Sequence, residues 1–377
     1  MMYPPTASES PLARFPSYPA WDALRELADQ LLEYDGVATV YLDLAPTEVG
    51  EVRDRAQHAR ALSDELRRLV GAAEKATSEH ERKRALRALP ERVDGFLAGY
   101  EPAGRHIHGV AVFATPDGYF RAIELPEAVR DMVSLERSPR IAPLISLVAR
   151  THEALLVLVD HEHGTMLVSA EGAVRESETW SGARTVADHL KRVAEGVSRA
   201  TREEPRPIVL IGVEDVRGEF SRYLDVESRK LVAGWTSVEP HQPHERVAAA
   251  ARPLLEDWWA AREREMLDSW HEAAAKHTHG VAGFADTLSA AADGAVDVLL
   301  FQDEPKVNWP VAFECENDGR AYLTPGECPL DGGALLPRRP GLEVVLRETL
   351  RYGGKAFAIQ GAEDLARARG VGAMTRF

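Results

Sequence analysis

The 377-residue chain has a formal net charge of −15, and 45% of its residues are hydrophobic, a composition typical of a soluble globular protein with two or three domains. The acidic balance argues against a general nucleic-acid coat protein, whose surface must be basic, although local basic patches can still bind RNA. No apolar run reaches about 18 residues and no basic stretch precedes an apolar one at the N-terminus, so we expect no membrane span and no secretion, and we predict a cytoplasmic protein.

The first part of the chain is predicted to contain a lead-in and an α+β domain. Four prolines within residues 1–17 predict a flexible lead-in, and the domain is predicted to span residues 18–150. Pro90 is expected to break or kink one of its helices, and Asp117-Gly118 is typical of a hairpin turn. The predicted elements are a helix over 19–34, a strand over 37–44, helices over 48–73 and 78–98, strands over 109–113 and 119–125, and a short helix that ends near Arg150.

Alternating strands and helices predict a middle α/β domain over residues 151–277. Its long last helix carries Trp259, Met266 and Trp270 on one face, which is predicted to pack on the sheet. The predicted elements are strands over 154–160 and 165–170, a loop from Gly172 to Gly182, a helix over 183–201, a strand over 207–212, helices over 214–230, a strand over 231–238 and the long helix over 243–275.

A C-terminal domain is predicted over residues 278–377. Gly353-Gly354 is typical of the C-cap of its second helix. The predicted elements are a helix over 284–292, a strand over 295–301, an irregular segment rich in Pro, Gly and Asp over 303–340, a helix over 342–352, and strands over 355–360 and 370–377.

Two stretches of this domain carry a family resemblance. The helix ending at Gly294 followed by Ala295-Val-Asp-Val-Leu-Leu-Phe301, and the ending Gly370-Val-Gly-Ala-Met-Thr-Arg-Phe377, together resemble the third domain of archaeal and eukaryotic peptide release factors and of Pelota. The middle domain resembles that family's second domain. The N-terminal part, with Gly109-Val-Ala-Val-Phe113, is similar to bacterial, mainly actinobacterial, homologues, including the hibernation branch that resembles Balon. The resemblance implies a three-domain α/β architecture, with an RNase H-like middle domain and an α/β/α C-terminal domain.

The residue that performs hydrolysis in this family is missing from the chain. Catalytic members place the glutamine of Gly-Gly-Gln in the loop that corresponds to Gly172–Gly182, whereas no glutamine occurs here between Gln57 and Gln242. The resemblance implies a factor that occupies the ribosomal A site, contacts rRNA or tRNA and has a translational GTPase such as elongation factor Tu as a partner. The missing glutamine favours hibernation or rescue without peptidyl-tRNA hydrolysis. Two alternatives stay open: a hydrolase with a loop that needs no glutamine, and a non-ribosomal interaction protein on the same fold.

Two groups of basic residues are candidate RNA contacts. In the predicted loop and the helix after it, Arg175, Trp180, Arg184, Lys191 and Arg192 can bind phosphates through guanidinium groups and stack a base on the indole. The alternative is a solvated loop with a half-buried Trp. The densest basic run, Arg82-Lys83-Arg84, predicts an RNA-facing helix, or else a solvated face paired with nearby glutamates at helical spacing.

No metal site and no cofactor are predicted from the sequence. Cys315 and Cys328 are too few for a disulfide framework and can hold zinc only with help from other ligands, so we interpret them as free thiols. A nuclease-type carboxylate cluster of Asp160, Asp188 and Glu214 matches no recognised motif. The paired histidines are interpreted as turn and helix-end residues; they are His161 and His163, His241 and His244, and His277 and His279.

Overall fold

The computed structural model describes residues 24–28, 36–45, 51–102, 107–150, 153–170, 173–238, 242–276, 278–302, 308–359 and 365–377. By its internal contacts the chain divides into two compact units, one formed by Met1–Ala149 together with Trp270–Phe377 and the other by Arg150–Ser269. None of the helices in the described ranges combines the length and the apolar composition that a membrane crossing requires. The chain is a mixed α/β protein, as predicted, while the boundaries of the three predicted domains stay predictions.

The N-terminal part of the first unit contains a four-stranded antiparallel sheet. Val40 and Leu42 of its first strand join the core beneath two long helices, whereas Val37 and Tyr41 face the opposite side. This period of two explains why the strand could be predicted from sequence. The elements are β1 (Val37–Asp43), α1 (Glu51–Ala76), α2 (His80–Gly99), β2 (Gly109–Ala114), β3 (Phe120–Leu125), β4 (Met132–Glu136) and α3 (Ala142–Arg150), and the strand order is β3-β2-β1-β4.

Three predictions for this part need correction or fall outside the described residues. Helix α2 runs through Pro90 without a break, because the residues around the proline are buried against α1 and hold the helix together: Leu86, Leu89 and Val93. Strand β4 was not predicted; its half-buried pattern carries little alternation. Of the predicted helix at 19–34, residues 24–28 are described and are helical, and the lead-in at 1–17 lies outside the described residues.

The second unit is built on a five-stranded mixed sheet in the order β7-β6-β5-β8-β9, as expected for the RNase H-like domain. The first three strands are antiparallel, and β8 and β9 run parallel to β5. Residues 155, 157 and 159 face α4 and α5, whereas Ala154 and Leu156 face α7. The elements are β5 (Ala154–Val159), β6 (Gly164–Ala170), β7 (Ala173–Trp180), α4 (Val186–Glu203), β8 (Ile208–Ile211), α5 (Glu214–Tyr223), α6 (Val226–Lys230), β9 (Val232–Thr236) and α7 (His244–Ala275).

Helix α7 uses a different face from the one predicted. Val247, Ala251 and Leu255, spaced four residues apart, pack on the middle sheet, whereas Trp259 is half-buried. Trp270, in the part of α7 that belongs to the first unit, is buried as predicted, and its Nε1–H donates to the Val281 carbonyl at 2.9 Å.

The C-terminal part of the first unit contains two sheets. The larger has the order β10-β16-β11-β15, with β11 and β15 parallel. The smaller has the order β13-β12-β14 and occupies part of the segment predicted to be irregular; we call it the small sheet. The elements are β10 (Gly280–Ala282), α8 (Phe284–Ala292), β11 (Val296–Gln302), β12 (Ala312–Cys315), β13 (Ala321–Tyr322), β14 (Leu335–Arg338), α9 (Gly341–Arg351), β15 (Lys355–Ile359) and β16 (Val371–Thr375).

The N-terminal and C-terminal parts of the first unit share one apolar core. A buried carboxylate also joins them: Glu343 of α9, 2% exposed, accepts hydrogen bonds from the backbone N–H groups of Ile141 at 2.9 Å and Ala142 at 3.3 Å. Since a helix N-terminus has backbone donors without intrahelical partners, Glu343 satisfies two of those donors at the start of α3.

Candidate RNA interface and Cys/Asp cluster

The segment between β6 and α4 is a strand, not the loop predicted from its sequence. β7 pairs with β6 along its length and forms the edge of the five-stranded sheet. A register shift places Glu176 opposite Leu167 and Glu178 opposite Met166, so Ser177 forms a bulge. The charged residues that suggested a loop are those expected on an edge strand, because charges and bulges there discourage pairing with another chain.

Trp180 is a core residue of the second unit. Its side chain is 8% exposed and packs in the cluster that contains Leu190 and Val193. Gly196 of α4 makes room for the indole, since a Cβ at that position would lie 2.2 Å from the ring. A buried indole cannot stack on a base, so the half-buried alternative describes Trp180 better than the stacking role predicted from the sequence.

The four remaining candidates of this region are exposed: Arg175, Arg184, Lys191 and Arg192. We call them the middle-unit cations. Lys191 Nζ lies 4.0 Å from the carboxylate of Glu195 one turn later on α4. Such an exposed pair leaves the ammonium accessible, because it is screened by water and contributes little energy.

The start of α4 adds to the positive potential of this region. Thr185 is the N-cap, and its hydroxyl oxygen accepts a hydrogen bond from the backbone N–H of Asp188 at 3.1 Å. Arg184 therefore stands immediately before the positive end of an 18-residue helix, where an anion is favoured. Asp188 in the first turn already uses part of that potential.

The basic run of α2 lies on a helix that pairs with α1. Arg84 is exposed, whereas Arg82 and Lys83 are half-buried. Farther along the same helix, Arg87 Nε lies 3.0 Å from the Glu74 carboxylate of α1. Ion pairing between the two helices agrees in kind with the solvated-face alternative, and RNA contact by Arg82, Lys83 and Arg84 stays a prediction.

The turn between β5 and β6 has its own internal partners. The Asp160 carboxylate accepts hydrogen bonds from the backbone N–H groups of Glu162 and His163, both at 2.7 Å. Burial raises the pKa of Asp160, but these two donors outweigh it and hold the pKa below its ordinary value. His161 and His163 are exposed turn residues, as predicted, while His241 and His277 lie outside the described residues.

Within the described part of the chain, one group of three or more His, Cys, Asp or Glu side chains has converging ligand atoms. It consists of Cys315, Asp318, Cys328 and Asp331, with one ligand atom of each within 4.8 Å of the others. We call it the Cys/Asp cluster. Both cysteines are free and buried, and both aspartates are exposed. The proposed nuclease group of Asp160, Asp188 and Glu214 does not converge in this way.

The environment of the Cys/Asp cluster shifts several proton equilibria. Burial raises the pKa of Cys315 to about 11, against backbone N–H groups of Asp318 and Asn317 that act to lower it. The hydrogen bond with Cys328, at 3.2 Å, raises the pKa of Tyr322 to about 12. The backbone N–H of Gly333 is the main cause that lowers the pKa of Asp331. Without a bound cation, the thiols are therefore protonated at neutral pH.

Sequence reasoning identified the cysteines but missed their partners. The signal that could have found them is a repeated Cys-x-x-Asp-Gly motif, Cys315-Glu-Asn-Asp-Gly319 and Cys328-Pro-Leu-Asp-Gly332. This spacing equals that of paired metal-binding cysteines, with aspartate in the second place.

No protein-family model and no curated protein sequence matches the chain. Among solved structures, the chain is similar to the archaeal translation termination factor aRF1, with 14% identity, a TM-score of 0.27 and coverage of 95% of this chain and 98% of that one. It is also similar to an archaeal Pelota in a ribosome-bound model with ABCE1, with 13% identity, a TM-score of 0.43 and coverage of 96% and 95%. A third is Dom34 of S. cerevisiae, a translation termination-like factor that interacts with Hbs1, with 12% identity, a TM-score of 0.44 and coverage of 71% and 79%. These TM-scores and identities are too low to establish a function for this chain.

Proposed function

We propose that the chain is a release-factor- or Pelota-like translation factor that occupies the ribosomal A site, in hibernation or rescue, without hydrolysing peptidyl-tRNA. The observation that carries the proposal is the region from β7 to the first turns of α4, which presents the middle-unit cations and contains no side-chain amide. The resemblance assigns the catalytic loop of release factors to this region.

The chemistry of the region argues for binding rather than hydrolysis. Release of a peptide requires a polar group held at the ester carbon on a mobile loop, so that positioning supplies most of the rate. Here eight residues, Ala173–Trp180, are bound in a sheet and the last is anchored in the core. No Asn or Gln occurs from residue 150 to residue 241. The side chains left at the surface are those that bind phosphates.

Local charge reconciles this role with an acidic chain. Residues 173–206 contain seven Arg and Lys against six Asp and Glu, whereas the whole chain has 45 against 60. Contacts between exposed cations and RNA phosphates release counterions and are therefore strongly salt-dependent. An otherwise acidic surface disfavours binding to unrelated nucleic acid and so restricts RNA contact to the basic region.

Sedimentation with purified ribosomes tests the proposal. We expect the chain to pellet with ribosomes at low and moderate salt and to release no peptide from stalled nascent-chain complexes. The paired charge reversals Arg175→Glu with Arg184→Glu, and Lys191→Glu with Arg192→Glu, should weaken binding at least about tenfold and reduce the salt slope by about 1 for each lost phosphate contact.

Arg246→Glu with Arg252→Glu is the matched control, since both residues are exposed on α7 of the same unit. It applies the same change of charge away from β7 and α4. Equal loss in control and test pairs would show a general charge effect and contradict the assigned interface. A chain that stays in the supernatant at both salt concentrations would favour the non-ribosomal alternative, and peptide release that the charge reversals abolish would favour the hydrolase.

The resemblance also suggests a GTPase partner, such as elongation factor Tu, for the C-terminal part of the chain in the cytoplasm. Sedimentation repeated with that GTPase and a non-hydrolysable GTP analogue tests this part separately. We expect the GTPase to pellet with ribosomes in larger amount when the chain is present.

A further inference from the structure

The two Cys-x-x-Asp-Gly motifs of the small-sheet region form the same backbone turn twice. Gly319 and Gly332 both have positive φ, 73° and 75°. Each donates its N–H to the carbonyl of the cysteine four residues earlier, at 3.0 Å and 2.9 Å. Positive φ is easy for glycine and strained for other residues, so the glycine closes the turn. Closing the turn brings the Cys and Asp side chains of each motif together.

The support of the carboxylates is repeated as well. In each motif, the backbone N–H two residues after the aspartate donates to its Oδ1 atom, from Arg320 to Asp318 and from Gly333 to Asp331, both at 2.9 Å. This bond orients the carboxylate and leaves Oδ2 free to bind a cation. Metal ligands are typically fixed by hydrogen bonds of this kind.

The distances suit a tetrahedral ion. With Zn–S of about 2.3 Å and Zn–O of about 2.0 to 2.2 Å, neighbouring ligand atoms of a tetrahedral site lie about 3.3 to 3.8 Å apart. Cys315 Sγ lies 3.4 Å from Oδ1 and 3.6 Å from Oδ2 of Asp331. The widest separation in the cluster is 4.8 Å, so small rotamer changes of the exposed aspartates suffice to close the site.

The surroundings favour a metal over a disulfide or a purely hydrogen-bonded cluster. The cysteines are not bonded to each other, and hydrogen bonds from thiols are weak. The strands nearby have four, two and four residues, and sheets this small commonly need a metal or another cross-link because they bury little apolar surface. Thiolates select zinc over calcium or magnesium.

We propose that Cys315, Asp318, Cys328 and Asp331 bind one Zn²⁺ ion that joins the two turns and stabilises the small sheet. The ion displaces both thiol protons and is held by two thiolates and two carboxylates. Four anionic ligands leave no position for substrate, so the site is structural. This proposal goes beyond the proposed function and does not depend on ribosome binding.

The test uses the untagged full-length chain, because a histidine tag would bind zinc itself. After dialysis against a zinc-specific chelator, titration with Zn²⁺ should give one ion per chain and protect both thiols from a thiol reagent. Co²⁺ in place of Zn²⁺ should give thiolate-to-cobalt charge-transfer absorption together with the intense visible bands of tetrahedral cobalt. Each of these readouts is independent of any translation assay.

Substitutions separate ligands from neighbours. Cys315→Ser and Asp331→Asn should each weaken Zn²⁺ binding at least about tenfold. Glu327→Gln, an exposed acidic neighbour outside the cluster, should leave binding unchanged. Asp318→Cys with Asp331→Cys creates four thiolate ligands and should tighten binding and intensify the charge-transfer band, which guards against variants that lose zinc only because they misfold.

Three results would overturn the proposal. One is the absence of stoichiometric zinc in the folded wild-type chain. Another is a cobalt spectrum without thiolate charge transfer. The third is zinc binding that Cys315→Ser and Glu327→Gln reduce equally.

Discussion

The five-stranded sheet of the second unit and the small sheet of the first unit are stabilised by different interactions. Strands β5 and β8 of the larger sheet place apolar side chains into two cores, one on each face. In the small-sheet region the buried side chains include charged ones: Glu314 is 5% exposed, and Arg347 and Glu348 of α9 are each 2% exposed. The difference shows that a sheet with helices on both faces can rely on apolar burial, whereas a sheet of very short strands requires directed polar contacts.

Glu314 is the centre of the buried charges. Its carboxylate forms ion pairs with Arg338 of β14 and Arg347 of α9, and Arg347 also contacts Glu348 at 3.0 Å. A buried pair gains little net stability over apolar packing, because both charges lose their hydration, but removal of one partner leaves the other uncompensated. These pairs therefore act mainly by fixing the position of β14 and α9 relative to β12.

The largest expected effect is that of Glu314→Ala. The change leaves two buried guanidinium groups with too few partners, and we expect the free energy of local unfolding of the small sheet to fall by about 3 to 5 kcal/mol. Native-state hydrogen exchange of the amides in β12 and β14 measures it, since a chain of two units need not unfold in one step.

Glu227→Ala is the control for Glu314→Ala. Glu227 pairs with Lys230 at 2.8 Å, and both side chains are more than half exposed, at 69% and 62%. The expected loss is below about 1 kcal/mol. Similar losses for the two variants would contradict the distinction between buried and exposed charge.

The next effect concerns the larger sheet. Leu156 is fully buried between β5 and α7, so Leu156→Ala should lower the free energy of unfolding of the second unit by about 2 to 5 kcal/mol through lost burial and a cavity. Leu158→Ala on the same face is the control; Leu158 is half-buried, and we expect a clearly smaller loss. Urea denaturation followed by tryptophan fluorescence measures both, and a larger loss at Leu158 would contradict the assigned core.

The same contrast explains what the sequence could predict. Apolar runs such as Ala154–Val159 predicted strands correctly, because both faces are buried and the signal is local. β7 was missed because it is an edge strand, whose exposed charges resemble those of a loop. The small sheet was missed because two to four residues per strand carry no readable period.

The candidate site divides in the same way. Exposure of Arg175, Arg184, Lys191 and Arg192 agrees with their predicted accessibility, whereas burial of Trp180 depends on a glycine 16 positions later in the chain. The Cys/Asp cluster depends on contacts between two turns 13 residues apart. Pairings of this kind are set by tertiary packing and are not visible in local periodicity.

Gly196→Ala tests the packing of Trp180. Alanine in a helix interior is ordinarily about 1 kcal/mol better than glycine, but here the added Cβ would lie 2.2 Å from the indole ring. We expect a net loss of about 1 to 3 kcal/mol from overpacking. The control is Gly218→Ala in α5, where nothing lies within 4 Å of the added Cβ and stability should rise; thermal unfolding of both variants gives the sign, and a gain at Gly196 would show that the ring is not held there.

The smallest effect is expected for a charge at the surface of the second unit. Asp225 caps α6 by accepting a hydrogen bond from the Ser228 N–H at 2.8 Å, and this bond is the main cause that lowers the pKa of Asp225. A lowered folded pKa contributes stability above the unfolded value of about 3.9, and that stability is lost as the pH falls through the folded pKa. Asp225→Asn keeps the cap but removes the charge, so it should cost well under about 1 kcal/mol at pH 7. The difference between wild type and Asp225→Asn should disappear in urea titrations below about pH 3, whereas Asp225→Ala, which removes the cap itself, should stay about 1 kcal/mol less stable than Asp225→Asn at every pH. A difference between wild type and Asp225→Asn that grows on acidification would show that this carboxylate opposes folding and would remove the contrast with Glu314.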